Sequence, residues 1–243
     1  MAAGGNTRSM MPNLDFEGLV NLRDVGGESG VRSIRPGILF RSETPQLMSD
    51  ADVERALTEL GISRVVDLRG PRGAGSGPLA EAGRGVVLDF FEIASLVQAE
   101  SDESADGFLP AQLDRAAGVA GRFFEEMVGN PGATLVHCHT GKDRTGFVVA
   151  MTLAAAGVSD EEIISDYERS TPIFETMMAN LAAAGRAVPE NAPEFARDAP
   201  SAKGIRSLMH RLRNEWSSPE DYLVAGGIDR SLVHAVRERL AVR

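Results

Sequence analysis

An apolar run, Ala133-Thr134-Leu135-Val136, leads into His137-Cys138-His139-Thr140-Gly141-Lys142-Asp143-Arg144-Thr145-Gly146, and a low-polarity stretch from Gly146 to Val158 follows. A strand-like run, a tight segment opened by cysteine and closed by arginine, then a helix-like run leave the chain little freedom there. A helix N-terminus presents unpaired N–H groups and partial positive charge, so it binds phosphate. If residues 139–144 wrap into a nest, their successive N–H groups converge on one point. Gly141 supplies a close approach that a side chain would block. Arg144 can clamp two phosphate oxygens with its planar fork. The same field favours the thiolate of Cys138, the nucleophilic form of cysteine. Thr145 stands where its hydroxyl can donate to the sulfur. These residues imply in-line displacement at phosphorus through a cysteinyl-phosphate.

Plainer readings compete with this one. A lone cysteine is usually a small buried hydrophobe. Gly141-Lys142 resembles part of a nucleotide P-loop, but that pattern needs Ser or Thr after the lysine, where Asp143 stands. His137 and His139 could be metal ligands, yet the chain has four histidines, and His210 and His234 lie in helical, surface-like settings. No metal or other cofactor is therefore expected. A sulfur-transferring enzyme also puts cysteine in an anion loop, but without this Gly-Lys-Asp-Arg-Thr-Gly continuation. A non-catalytic phosphate-binding module would need a damaged loop, and Cys138 and Arg144 are both in place.

The leaving oxygen needs a proton donor within reach. Asp143 is beside the phosphate by construction. Asp102 and Asp106 lie upstream in an acidic segment and would need a loop closure. Lys142 reads either as a second positive charge facing the substrate or as a solvated lysine on the rim. His137 would orient and tune the thiol. Asp67 and Arg69, at the end of a strand-like run, can brace the loop or pair with each other. Arg23 and Asp24 read as structural partners.

At 243 residues and 43% hydrophobic content, the chain can bury one sizeable core. We expect a disordered lead-in at residues 1–12 and a single domain from 13 to 243. The net charge of −10 argues against nucleic acid or an anionic membrane surface as partner. One cysteine excludes an internal disulfide. The longest low-polarity run, 13 residues, is short of a bilayer span of about 20. The first dozen residues lack a signal-peptide core, so cytoplasmic residence without membrane insertion is expected. Oligomeric state is left open.

Strand-like runs fall at 38–41, 64–68, 86–91 and 135–138. Helical patterns fall at 49–60, 110–128, 144–156, 160–169, 172–184, 202–216, 219–225 and 230–241. Ser49 is a candidate cap for the first of them. Residues 70–85 read as a glycine-rich loop and 185–202 as a linker. Together these give an α/β fold, a central sheet flanked by helices with a largely helical C-terminal half.

The ten-residue block resembles the signature of the cysteine-dependent tyrosine phosphatases, particularly the bacterial tyrosine-phosphatase 3, or PtpB-like, family. Asn21-Leu22-Arg23-Asp24-Val25-Gly26-Gly27, Ile38 to Ser42, Val65 to Arg69, Asp166-Tyr167-x-x-Ser170 and Tyr222-Leu223 with Gly226-Gly227 extend the resemblance over roughly residues 14–241. It implies a cysteine-phosphatase-like sheet and a phosphorylated substrate. It also implies Asp143 as general acid, and phosphate bound by His139, Thr140, Gly141, Lys142, Asp143 and Arg144. Phosphotyrosine is the implied substrate, with a small phosphate ester (nucleotide, sugar, inositol or phosphoinositide) as the alternative. The family also implies a helical cover over the nucleophile, with 108–128 and 172–184 as candidates. The stripe Phe174, Met177, Met178, Leu181 fits ordinary core packing better.

Overall fold

In the computed structural model, residues 15–71, 77–90, 104, 106–114, 116–183, 185, 187–190, 192 and 194–242 are described. The expected lead-in at 1–12 and Asp102 lie outside them. Five strands form one sheet in the order β1-β2-β5-β3-β4: β1 Arg23–Asp24, β2 Leu39–Ser42, β3 Ile62–Asp67, β4 Gly85–Val87 and β5 Ala133–His137. β1 runs antiparallel to β2, and the other neighbours are parallel. β5 is central and buried along its whole length, as a parallel strand covered on both faces must be.

Register places the site. Ser42 and Asp67 both pair with His137, so β2, β3 and β5 finish abreast. Their following loops therefore gather at the carboxyl edge of the sheet, where open α/β folds bind ligands. Alternation of side chains sorts the strands between two cores. Leu39, Val66 and Val136 enter the larger one, under the C-terminal helices, while Phe40, Val65 and Leu135 enter the other.

The helices are α1 Asp50–Thr58, α2 Phe108–Ala111, α3 Ala117–Val128, α4 Asp143–Ala155, α5 Asp160–Glu168, α6 Phe174–Ala183, α7 Glu194–Arg197, α8 Ala202–Glu215, α9 Pro219–Ala225 and α10 Arg230–Leu240. Ser49 caps α1 by accepting from the Asp52 amide. Ser159, Ser201 and Ser218 do the same for α5, α8 and α9. In α4 every residue from Thr145 to Ala155 is buried, and each large apolar side chain there is worth about 1.5–3 kcal/mol of transfer energy.

Three elements differ from the sequence pattern. The helix expected over 110–128 is broken: α2 tightens into a 3-10 turn at Gln112–Asp114, and α3 starts afresh after Ala116. There the Gln112 side-chain amide donates to the Phe108 carbonyl, and Ala116 leaves helical angles. The strand expected over 86–91 is the shorter β4, preceded by a wide helical turn at Ala80–Arg84 inside the expected loop. The linker expected at 185–202 contains α7 and lines the cavity described next.

Candidate active site

Cys138 directly follows β5 and is 3% exposed. Between it and α4 the chain turns through Gly141, whose φ is +67°. A Cβ there would lie 2.0 Å from the Ser42 carbonyl oxygen, so the turn admits glycine alone.

The carbonyls of this loop are held from behind. His139 accepts from the Thr44 amide at 2.8 Å. Asn21 Nδ2 donates to the carbonyls of Thr140 and Gly141 at 3.1 and 3.4 Å. Arg41 Nη2 donates to the Gly141 carbonyl at 2.7 Å, and the Lys142 carbonyl accepts from the Gly146 amide at 2.7 Å. In a planar trans peptide the next N–H points away from the carbonyl. Fixing carbonyls 139 to 142 outward therefore turns amides 140 to 143 to the opposite side, the geometry of an anion nest.

A buried ionic cluster supports those donors. Asp166 accepts from Arg41 Nη1 at 2.6 Å and from Arg23 Nε at 2.9 Å. Arg23 also reaches the Asp166 carbonyl at 2.7 Å, the Ser170 hydroxyl at 3.2 Å and Asn21 Oδ1. Burial alone would push the Asp166 carboxyl up, but Arg23 and Arg41 outweigh it and hold it far below the usual range. Burial, together with Arg41, lowers Arg23 to about 10 against the pull of Asp166. Asn21 has φ +55°, a left-handed conformation that asparagine tolerates. Arg23 thus has a structural partner, though it is Asp166, while Asp24 accepts from the amides of Gly26 and Gly37.

The cavity above the loop holds about 360 Å³. One wall is Cys138, His139, Thr140, Asp143 and Arg144, and the other is Leu181, Ala187, Val188, Pro189, Ala192 and Ala196. Arg144 Nη1 donates to the Leu68 carbonyl at 3.3 Å, tying it to the loop after β3. The Asp143 side chain is 14% exposed, with the Lys142 ammonium 3.4 Å from Oδ2 and the Tyr167 hydroxyl 3.5 Å from Oδ1. Burial raises its carboxyl above the ordinary carboxylate value, opposed by Lys142 and Arg144. A carboxyl whose proton affinity is raised by burial in a cleft is a candidate general acid. Asp106 stands elsewhere: Lys203 donates to it at 2.6 Å and the Ser201 hydroxyl also donates to it, and these bonds lower its carboxyl below the ordinary value.

The remaining residues are distributed as follows. His137 is buried, its Nδ1 is 3.0 Å from the Cys138 carbonyl and its Nε2 is 4.0 Å from Asp67 Oδ2. Since a carbonyl only accepts, Nδ1 carries the proton, and burial lowers the ring's basicity. His137 thus meets Cys138 through the main chain. Asp67 is held by Arg69 at 2.9 and 2.7 Å. Burial would raise its carboxyl, but Arg69 and His137 bring it below the ordinary value. The Thr145 hydroxyl, expected at the sulfur, has no hydrogen-bond partner among the described residues. Gly141 and Lys142 are absent from the cavity lining. Lys142 is 2% exposed, on neither the wall nor the rim.

Sequence reasoning assigned no part in holding the loop to Asn21, Arg41 and Asp166. All three fall in segments that carry the family resemblance, and Arg41 and Asp166 are charged residues inside a strand-like and a helical run, but no local pattern pointed to this role. Among the described residues no group of three or more side chains could hold a metal, and no helix is long and apolar enough to cross a membrane.

A model of the tyrosine phosphatase family matches residues 14–242. A Cupriavidus necator protein assigned by its name to the tyrosine-protein phosphatases is 34% identical over 235 residues, spanning 87% of this chain and 82% of its own. The triple specificity protein phosphatase PtpB of Mycobacterium tuberculosis is 28% identical over 277 residues, spanning 92% of this chain and 97% of its own. Among solved structures, the core catalytic domain of the PP-IP phosphatase SIW14 from S. cerevisiae, in complex with citrate, aligns with a TM-score of 0.37 and 13% identity, covering 76% of this chain and 94% of that one. The Yvh1 phosphatase domain from Chaetomium thermophilum aligns at 0.33 and 14%, covering 72% and 90%. At such scores the architecture rests on its own sheet order. The match from residue 14 to residue 242 is decisive: this chain belongs to the tyrosine phosphatase family.

Proposed function

We propose that this phosphatase hydrolyses aryl phosphate monoesters, phosphotyrosine foremost, through a phosphocysteine at Cys138. One observation carries the reading: Cys138, Asp143 and Arg144 share a cavity whose opposite wall is apolar. That wall suits an aromatic ring. Among the described lining residues Arg144 is the one permanent cation, enough for a single phosphate.

In the first step the Cys138 thiolate attacks phosphorus and the phosphorus–oxygen bond breaks. Asp143 gives its proton to the departing phenolate, while Arg144 and the loop amides that face the cavity, those of Thr140 and Asp143, hold the phosphoryl oxygens. In the second, water attacks phosphorus, the phosphorus–sulfur bond breaks, and Asp143 takes the water's proton. Arg41, Arg23, Asp166 and Asn21 keep the loop in shape without touching the substrate. Each role falls to a side chain or main-chain amide of this chain, so turnover is expected to persist with chelator. A mechanism that needs its one thiol reduced suits the cytoplasm.

The test is phosphate release, in EDTA, by wild type and Cys138→Ser on phosphotyrosine peptides, phosphoserine peptides, phosphoinositides, and nucleotide and sugar phosphates. Strong turnover of phosphotyrosine that vanishes in Cys138→Ser is the expected result. A preference of orders of magnitude for one small metabolite would keep the mechanism and replace the substrate.

A further inference from the structure

Lys142 sits in the phosphate loop, yet its ammonium points away from the cavity it was expected to serve. A buried ammonium has to find partners for its donors. Partners among the described residues come from three separate places. Nζ donates to the main-chain carbonyl of Asp198, just beyond α7. It stands 3.4 Å from Asp143 Oδ2 at the start of α4. It also lies over the Phe174 ring, 5.0 Å from the centroid, at the start of α6, within cation–π range.

Two of those places lie on or beside α6 and α7, the helices that carry Leu181 and Ala196 of the apolar wall. Among the described residues, Met177 and Leu181 of α6 are buried and join neither hydrophobic core. Polar contacts fasten this wall: Asn180 donates to Glu43 Oε1 at 2.8 Å, and Lys142 grips Phe174 and Asp198.

We propose that Lys142 is a positioning residue that fastens the apolar wall over the nucleophile, and that this fastening sets the preference for aryl over alkyl phosphate esters. The proposal rests on the phosphatase reading above. Because the same ammonium stands beside Asp143, it couples closure of the wall to the proton donor. Burial raises the Asp143 carboxyl and Lys142 opposes the rise, so losing Lys142 moves it further up.

The experiment uses the full chain as wild type, Lys142→Met, Lys142→Arg and Phe174→Leu. Hydrogen exchange is followed by mass spectrometry without substrate, and kcat and KM are measured on a phosphotyrosine peptide and on β-glycerophosphate. Lys142→Met is expected to raise exchange across α6 and α7 by about 10-fold, the signature of a local opening. It should raise KM for the peptide about 10-fold and leave KM for β-glycerophosphate within about 2-fold, as lost wall contacts require. The high-pH limb of its rate profile should move upward, since the donor holds its proton longer. Phe174→Leu should follow in the same direction with smaller effects, and Lys142→Arg should restore most of the closure.

Unchanged exchange together with an equal rise in KM for both esters would make Lys142 a phosphate contact and overturn the proposal. If Lys142→Met fails to fold, Phe174→Leu decides: unaltered exchange and unaltered ester preference would overturn the proposal equally. If wild type turns over neither ester, the phosphatase reading fails, while the exchange comparison still decides whether Lys142 fastens the wall.

Discussion

On one side of the cavity, the loop from Cys138 to Lys142 is pinned by Thr44, Asn21 and Arg41, and behind them stands a buried cluster of Arg23, Arg41, Asp166 and Ser170. On the other side, Leu181 of α6 with Ala187, Val188, Pro189, Ala192 and Ala196 presents apolar side chains, and polar contacts from Asn180 and Lys142 hold this side among the described residues. The two walls have different duties. An oxyanion cradle must not relax as charge develops on phosphorus, so its donors are set in advance. A substrate wall has to let a large ester in, so it is drawn from the less firmly held parts of a molecule. Under the proposed function, the chemistry is rigid and the choice of ester adjustable.

Removing the rigid wall's keystone tests the contrast most severely. Asp166→Asn leaves two buried guanidiniums without their counter-charge and should cost about 3–5 kcal/mol, read as a fall in the denaturation midpoint. The pH sign follows from the depressed carboxyl. Its stabilisation is complete above the ordinary value of 3.8 and is lost as pH falls below it, so the variant should lose less stability than wild type on acidification. A midpoint near that of wild type would mean that the cluster does not hold the cradle.

Next comes the donor on the same wall. Asp143→Asn should lower kcat/KM on phosphotyrosine peptide by about 10²-fold or more, the usual size of a general-acid term. The loss should nearly disappear on p-nitrophenyl phosphate, whose leaving group needs no proton. Because the donor acts protonated and burial raises its carboxyl, wild-type rates should fall as pH climbs through that value. The variant should lose that limb. An equal loss on both esters would remove Asp143 from the role.

On the adjustable side, Glu43 is 2% exposed and joins Asn180 of α6 to the Val20 amide. Burial raises its carboxyl from 4.5 to about 7, against both hydrogen bonds. A raised carboxyl contributes stability that is complete below 4.5 and lost as pH rises through about 7. Glu43→Gln should flatten that part of the stability profile, followed by thermal melts from pH 4 to 8. A slope identical to wild type would assign it to other groups, Asp24 first, which burial raises to about 6. The smallest effect belongs to Asp106→Ala, which should leave kcat/KM within about 2-fold, as a surface ion pair contributes little. A large loss there would revive the upstream donor.

The contiguous part of the site was legible in the sequence. A strand, a cysteine loop and an apolar helix stand in one unbroken stretch, and backbone geometry ties them together whatever the rest of the chain does. The support was not legible, because Arg41 meets Asp166 across 125 residues and Arg23 meets it across 143. No local pattern encodes such a partner. Lys142 escaped for a different reason. A lysine's long stem lets the charge lie on either side of its backbone, and only α6 and α7, packed nearby, decide which. Helix positions followed from 3.6-residue periodicity. The break between α2 and α3 did not, since it depends on Gln112 bonding back to Phe108.

The central claim is that Cys138 becomes covalently phosphorylated during turnover. Rapid mixing with a labelled phosphotyrosine peptide, acid quenching and peptide mass spectrometry tests it directly. We expect phosphate on the peptide containing Cys138, formed faster than free phosphate is released in steady state and absent from Cys138→Ser. Full turnover with no phosphorylated Cys138 at any quench time, or phosphate release by Cys138→Ser at the wild-type rate, would contradict it.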